Sequence, residues 1–262
     1  MAILNLTPDS FYAGSRHVAY EEVCRSVECA ISEGATIIDI GGYSSRPGAE
    51  HISVDEEWAR VKMGLEAVRS VEQGVVVSID TFRSEIVRRA YEEFGEVIVN
   101  DISAGELDED MLKTVAELGL KYVAMHMRGT PKTMQQMTDY EDVVQSVVDY
   151  LAQRAVHLEA AGIARHNIIL DPGFGFAKSV EQNYRLLARL DRVVALGYPV
   201  LVGLSRKSMI YKLLHTTPDD VLAGTVALSW QALTLGATII RAHDVSEAVQ
   251  ITTIYDKGFR GL

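Results

Sequence analysis

The sequence predicts a (β/α)8 TIM barrel folded as a single domain over residues 1–262. Three observations lead there. Short β-branched runs alternate with longer stretches of helical periodicity, the alternation repeats eight times at a spacing of about 33 residues, and no linker or low-complexity segment interrupts it. A doubly wound open sheet would show the same alternation, so closure is an expectation. The absence of Gly-x-Gly-x-x-Gly after an early strand weakens the dinucleotide-binding version of that alternative.

The expected strands are Ala2–Asn5, Thr36–Ile40, Val75–Ile79, Val97–Asp101, Tyr122–His126, Ile168–Leu170, Val200–Gly203 and Thr238–Arg241. Each is short, apolar and rich in Val or Ile, as a strand buried on both faces should be. The expected helices are Tyr20–Glu33, Val54–Val71, Ser84–Phe94, Asp110–Leu118, Tyr140–Ala161, Val180–Leu190, a split region over Lys207–Leu235, and Ser246–Asp256. Gly34-Ala35, Gly119-Leu120 and Gly236-Ala237 stand between a helix and the next strand, where a left-handed glycine stops the helix and turns the chain.

Composition narrows the function. Acidic residues outnumber basic ones by 36 to 25, a formal charge of -11, which argues against nucleic acid or an anionic membrane as partner. An anionic ligand therefore needs a local basic cluster. The two cysteines, Cys24 and Cys29, suit neither a zinc knuckle nor a disulfide framework and read as reduced residues of a cytoplasmic protein. No apolar run reaches the roughly 18 residues of a spanning helix, and Met1–Ser10 lacks the build of a signal peptide.

In such a barrel the chemistry gathers at the C-terminal ends of the strands. Every expected strand carries polar residues there: Asn5, Asp39, Asp80-Thr81, Asn100-Asp101, His126 with Arg128, Asp171, Ser205-Arg206-Lys207-Ser208, and Arg241-Ala242-His243-Asp244. Asp101, Asp244 and Thr81 read first as caps of the following helix. Capping does not account for Asp39, Asp80, Asn100 and Asp171 within or at the end of otherwise apolar strands, because buried carboxylates are costly unless paired or ligated. Asp80, Asn100, Asp171 and Lys207 suit the amide-like and amino edges of a flat heterocycle on a deep floor. Asn5, Arg46, Arg241 and His243 suit a phosphate with a hard divalent ion nearer the rim.

Several ordered segments resemble one family. Ile3-Leu4-Asn5-Leu6-Thr7-Pro8-Asp9-Ser10-Phe11, Asp39-Ile40-Gly41-Gly42 with Ser45-Arg46-Pro47-Gly48, Asp171-Pro172-Gly173-Phe174-Gly175-Phe176, Gly203-Leu204-Ser205-Arg206-Lys207-Ser208 and Arg241-Ala242-His243-Asp244 look like dihydropteroate synthase. The resemblance implies a folate-pathway transferase that joins 6-hydroxymethyl-7,8-dihydropterin diphosphate to 4-aminobenzoate and releases diphosphate. It assigns the pterin to Asp80, Asn100, Asp171 and Lys207 with Met125 on the ring. Mg2+ falls to Asn5, the diphosphate to Arg46, Arg241 and His243, and 4-aminobenzoate or a competing sulfonamide to Ser45, Pro47, Phe176 and Ser208. A homodimer through the later helices is implied as well.

The chemistry expected of that set is dissociative. Diphosphate leaves first, the cation delocalises into the dihydropterin near Asp80 and Asp171, and the weakly basic arylamine attacks without a strong general base. The loops Thr7–Phe11 and Tyr43–Gly48 have the makeup of segments that order over a ligand. The chain departs from the family at Tyr43 and Ser45, where Glu and Thr are usual, and at Ala177, where Gly is common; it also starts close to the first strand. Three other readings exist: a methyltetrahydrofolate-binding corrinoid methyltransferase domain, an aldolase using Lys207 as Schiff base, and a pterin-binding protein without activity. His17, His51, His157, His166 and His215 read as surface residues, and His126 as structural. Trp58 and Trp230 read as outer-wall packing, and Asp55-Glu56-Glu57 as a helix start facing the macrodipole.

Overall fold

The computed structural model describes residues 1–7, 16–44, 51–130 and 132–259. Its eight strands are β1 Ala2–Asn5, β2 Ile37–Gly41, β3 Val76–Asp80, β4 Ile98–Asp101, β5 Lys121–Met125, β6 Ile168–Asp171, β7 Leu201–Gly203 and β8 Ile239–Arg241. All run parallel, β1 to β6 in sequence order and β7 beside β8. Two single bridges join these sheets, Leu170 with Val200 and Ala2 with Ala242. The Leu170 N–H donates to Pro199 O at 2.9 Å, Ile3 N–H to Ala242 O at 3.1 Å, and Ala242 N–H to Met1 O at 3.0 Å. The circuit of strands thus returns to β1 and the barrel closes.

The helices are α1 Arg16–Ser32, α2 Val54–Val71, α3 Ser84–Phe94, α4 Met111–Leu118, α5 Val143–Ala160, α6 Val180–Ala188, α7 Asp191–Val194, α8 Ser208–Tyr211, α9 Leu222–Thr234 and α10 Val245–Gly258. Caps set several boundaries. Asp142 accepts from Val144 N and Gln145 N, so α5 begins three residues later than its apolar pattern suggests. Ser179 and Gln182 form a reciprocal capping box that starts α6. Gly119 closes α4 at φ 67° with its N–H on Ala116 O, the conformation expected for it. The helix expected over Val180–Leu190 ends at Ala188, and a separate short helix, α7, follows it at Asp191–Val194.

Inside the barrel, Ile98, Val123, Ile169 and Leu201 pack with Met1, Ile37 and Ile239 into an apolar layer toward the N-terminal ends of the strands. This layer fills the lower barrel and leaves polar chemistry to the opposite end. Trp58 packs half-buried against the main core, and Trp230 lies edge-on to Tyr255 and Phe259, both as expected of outer-wall residues. No helix among the described residues is long and apolar enough to cross a membrane.

Candidate active site

Register places three polar strand ends and Gly41 beside one another. Asn5 pairs with Gly41, Gly41 with Asp80, and Asp80 with Asn100, so these positions lie at one height of the barrel wall. Asp39 lies one inward-facing position lower on β2 and is fully buried. From β8, Arg241 reaches across to this group: its Nε donates to Asp39 Oδ2 at 2.6 Å and its second guanidinium nitrogen to Asp80 Oδ2 at 3.0 Å. Asn100 Nδ2 donates to the same Asp39 oxygen at 3.1 Å. One guanidinium is therefore shared by two carboxylates, Asp39 fully buried and Asp80 half-buried. Burial is the main reason that the Asp80 pKa rises to about 7, with Asp39 adding repulsion and Arg241 opposing it.

The other half of the floor comes from β6 and the segment after β7. Asp171 Oδ1 accepts from Gly173 N at 2.7 Å; burial raises its pKa, opposed first by Lys207. Lys207 is pushed down to about 8 by burial, with Asp171 as the chief opposing charge. Its ammonium donates to Phe174 O and stands 5.0 Å from the centre of the Phe176 ring. A Cβ on Gly203 would lie 3.7 Å from Lys207 Nζ and 3.9 Å from Arg241 Cβ, which joins the two halves of the floor. Met125 and half-buried Phe176 pack with Ile102, Met127, Met134, Phe82 and Ala177 beside them.

On the β8 side, Ser205 Oγ lies 3.0 Å from His243 Nδ1 and accepts from the His243 backbone N–H at 3.2 Å. Arg206 grips Asp244 through Nε at 3.2 Å and a terminal nitrogen at 2.6 Å. Asn5 Oδ1 would be 3.3 Å from a Cβ at Gly41, which itself would meet Asp80 Cβ at 3.7 Å. The Asn5 amide thus flanks the carboxylate ring. Ser208 opens α8 directly after Lys207. Ser45, Arg46 and Pro47 lie outside the described residues, as does Pro8 to Phe11 of the first loop.

The geometry revises several expectations. Arg241, grouped by sequence with an outer anion site, reaches inward into the carboxylate pair. Asp244 occupies the N-cap position of α10 but makes no capping bond and holds Arg206 instead. Asp101 does not cap α4; it accepts from Ser103 N, Gly105 N and Tyr122 Oη and braces the turn after β4. Thr81 accepts from Arg83 N and donates to Glu57 at 2.6 Å. Glu57, read as part of an ordinary helix start, is fully buried and takes Arg83 at 2.8 Å. Sequence reasoning also passed over Lys178, which is buried beside His126; a lysine directly behind the Gly-Phe-Gly-Phe loop was the available signal.

The match to known proteins decides the family. The pterin binding enzyme family matches residues 1–243. Dihydropteroate synthase of Escherichia coli K12 is 43% identical over 256 residues, covering 98% of this chain and 90% of that protein. This chain belongs to the dihydropteroate synthase family. A solved Xanthomonas albilineans dihydropteroate synthase with 4-aminobenzoic acid superposes with a TM-score of 0.91 at 38% identity, covering 100% of this chain and 93% of that one. A Yersinia pestis dihydropteroate synthase in a sulfonamide drug complex gives 0.90 at 38% identity over 98% and 92% of the two chains.

Within the dihydropteroate synthase family, the Arg241 network shows how a mostly apolar barrel tolerates several carboxylates at one mouth. Asp39 is the buried anchor that holds Arg241 and Asn100, and Asp80 is the more exposed partner. A ligand with its own N–H groups can replace Arg241 at Asp80 without leaving Asp39 unpaired.

Proposed function

We propose that this chain transfers the 7,8-dihydropterin-6-ylmethyl group from its diphosphate to 4-aminobenzoate, using Asp80, Asn100, Asp171 and Lys207 as the pterin floor. The observation that carries this reading is the gathering of those four side chains around Arg241 at the mouth of a barrel from this family. The pterin's amide and amino edges offer both donors and acceptors. Ionised Asp80 and Asp171 accept, Asn100 does either, and Lys207 donates. Met125 supplies an apolar surface for the ring, and Phe176 and Ser208 stand on the side assigned to the arylamine.

In the reaction the C–O bond to diphosphate breaks, a C–N bond to the arylamine forms, and the arylamine nitrogen gives up one proton to solvent. Positive charge on the pterin is stabilised by Asp80 and Asp171, whose burial makes their field strong. His243 and Arg46 receive the departing anion, joined by the Arg241 nitrogen that the pterin releases when it takes its place at Asp80. Ser205 beside Nδ1 holds the His243 ring in a fixed orientation for that task. The arylamine attacks as the neutral amine, so the step needs no strong general base.

The donor set also fits Mg2+. Mg2+ takes few protein oxygens and fills its shell with phosphate oxygens and water, and an amide oxygen at Asn5 beside a carboxylate ring meets that need. Bound there with the diphosphate, Mg2+ would neutralise leaving-group charge. Asn5 is its protein ligand in this proposal. A cytoplasmic setting, supported by two free cysteines, and a homodimer through the later helices complete the reading.

Incubating the purified chain with both substrates tests it. One 7,8-dihydropteroate should form per diphosphate released, and chelation of Mg2+ should suppress both. Absence of product with both substrates and Mg2+ would overturn the proposal.

A further inference from the structure

We infer that Lys178 is a positioning residue for the arylamine side of the reaction: its buried ammonium fixes the backbone of the loop after β6 and thereby sets the Phe176 ring. The inference rests on the reading above, in which that ring packs against 4-aminobenzoate. Lys178 is 4% exposed and makes no ion pair among the described residues. Its Nζ instead meets three acceptors, Gly173 O at 2.9 Å, Phe176 O at 3.0 Å and His126 Nδ1 at 3.0 Å. An ammonium has three protons, so all three are used. His126 is itself 2% exposed and is kept neutral, its pKa lowered to about 2 by burial and then by the charges of Lys178 and Arg128.

A buried lysine whose hydrogen bonds all go to neutral acceptors, and whose pKa burial lowers to about 7 against the opposing charge of Asp171, is a costly way to fill space, since a methionine would occupy the same volume without desolvating an amine. The arrangement makes sense as a clamp on a loop whose Phe174 is anchored in the main core while Phe176 stays half-buried at its rim. Four side chains hold the backbone of the turn: Gly173 N by Asp171, Phe174 O by Lys207, Gly175 N by Asn183 at 2.7 Å, and both Gly173 O and Phe176 O by Lys178. Gly173, at φ 68°, presses so closely on β5 that a Cβ would fall 2.0 Å from His126 O. Lys178 therefore ties both ends of the four-residue turn to one point on the barrel wall. The ring of the last residue is left facing Lys207, half-buried, on the side of the floor where Met125 lies.

The consequence is a division of labour among three buried charged groups. Asp171 and Lys207 face the pterin, while Lys178 acts one step behind them through the Phe176 backbone. Removing it should disturb arylamine binding and leave pterin binding largely intact. A purely structural lysine would depress both together.

The test is a double-mutant cycle between Lys178→Met and Phe176→Ala. It is read as KM for 4-aminobenzoate, with pterin affinity measured by titration with 6-hydroxymethylpterin. Lys178→Met should raise the KM for 4-aminobenzoate about tenfold, in keeping with the sensitivity of reaction to small misplacements, and change pterin affinity less than about twofold. In the Phe176→Ala background the same substitution should add almost nothing, because the two act as one unit. Equal losses of pterin and arylamine binding, or additive effects, would overturn the inference. If Phe176→Ala raises the KM and Lys178→Met does not, Lys178 has no positioning role. If Phe176→Ala leaves the KM unchanged, the arylamine assignment of Phe176 fails first and the inference with it. Should Lys178→Met not fold, His126→Gln, which keeps the lysine but disturbs its third contact, should show the same selective rise in KM; an unchanged KM there would count against the clamp.

Discussion

Replacing Asp80 by Asn should stabilise the unliganded fold while destroying pterin binding, and the stabilisation should grow with pH. Asp80 shares Arg241 with Asp39, so one guanidinium serves two carboxylates at the floor. Its pKa rises from 3.8 to about 7. Between those values the folded chain keeps a proton that the unfolded chain has released, so this group's contribution to wild-type stability falls as pH rises toward 7 and levels off above it. Asparagine keeps an oxygen for Arg241 and has no proton to lose. At about 1.4 kcal/mol per pH unit, the two units from pH 5 to 7 make the variant gain about 2–3 kcal/mol over wild type. The assay is urea unfolding at pH 5, 7 and 8.5, followed by the fluorescence of Trp58 and Trp230. A stability difference that does not change with pH would refute the argument that Asp80 is the carboxylate left short of positive charge.

Three further outcomes follow from particular contacts. Arg83→Met strands the fully buried Glu57 carboxylate, whose pKa burial already raises; unfolding titrations should show a loss of about 3 kcal/mol at neutral pH, and a loss under about 1 kcal/mol would mean that Glu57 finds another partner. Ala177 holds φ 48° in a buried position. Relief of about 1–2 kcal/mol of left-handed strain in Ala177→Gly is offset by glycine's chain entropy and a lost buried methyl, together of similar size, so melting should shift little; a large shift either way would show that one of these terms is misjudged. Ser205→Ala removes the hydroxyl 3.0 Å from His243 Nδ1 and should lower kcat without weakening 4-aminobenzoate binding; unchanged kcat would detach His243 orientation from turnover.

Much of the architecture was legible because alternation and strand-end polarity are local signals. All eight strands lie within a residue or so of their expected spans, since β-branched runs bounded by turn residues mark themselves. The charge pairings were not legible. Asp39 with Arg241 and Asp80 with Arg241 join residues 202 and 161 positions apart, and sequence spacing carries no sign of which carboxylate takes the guanidinium. Glu57 was misread for the same reason: three acids at a helix start are ordinary, and only the fold turns the third toward Arg83. Asp244 shows the reverse error, since its N-cap position is real but Arg206 claims the carboxylate. Lys178 escaped notice because its one signal, a lysine directly behind the Gly-Phe-Gly-Phe loop, does not show on which side of the loop the ammonium lies.

The central claim is that residues from β3, β4 and β6 and the segment after β7 recognise one pterin. Calorimetric titration of 6-hydroxymethylpterin into wild type and Asp171→Asn tests it most directly, because Asp171 is buried at the floor and far from Asp80 in sequence. Loss of a charge-assisted hydrogen bond should weaken binding by about 2 kcal/mol or more, roughly thirtyfold. Equal affinity in the two proteins would contradict the shared floor.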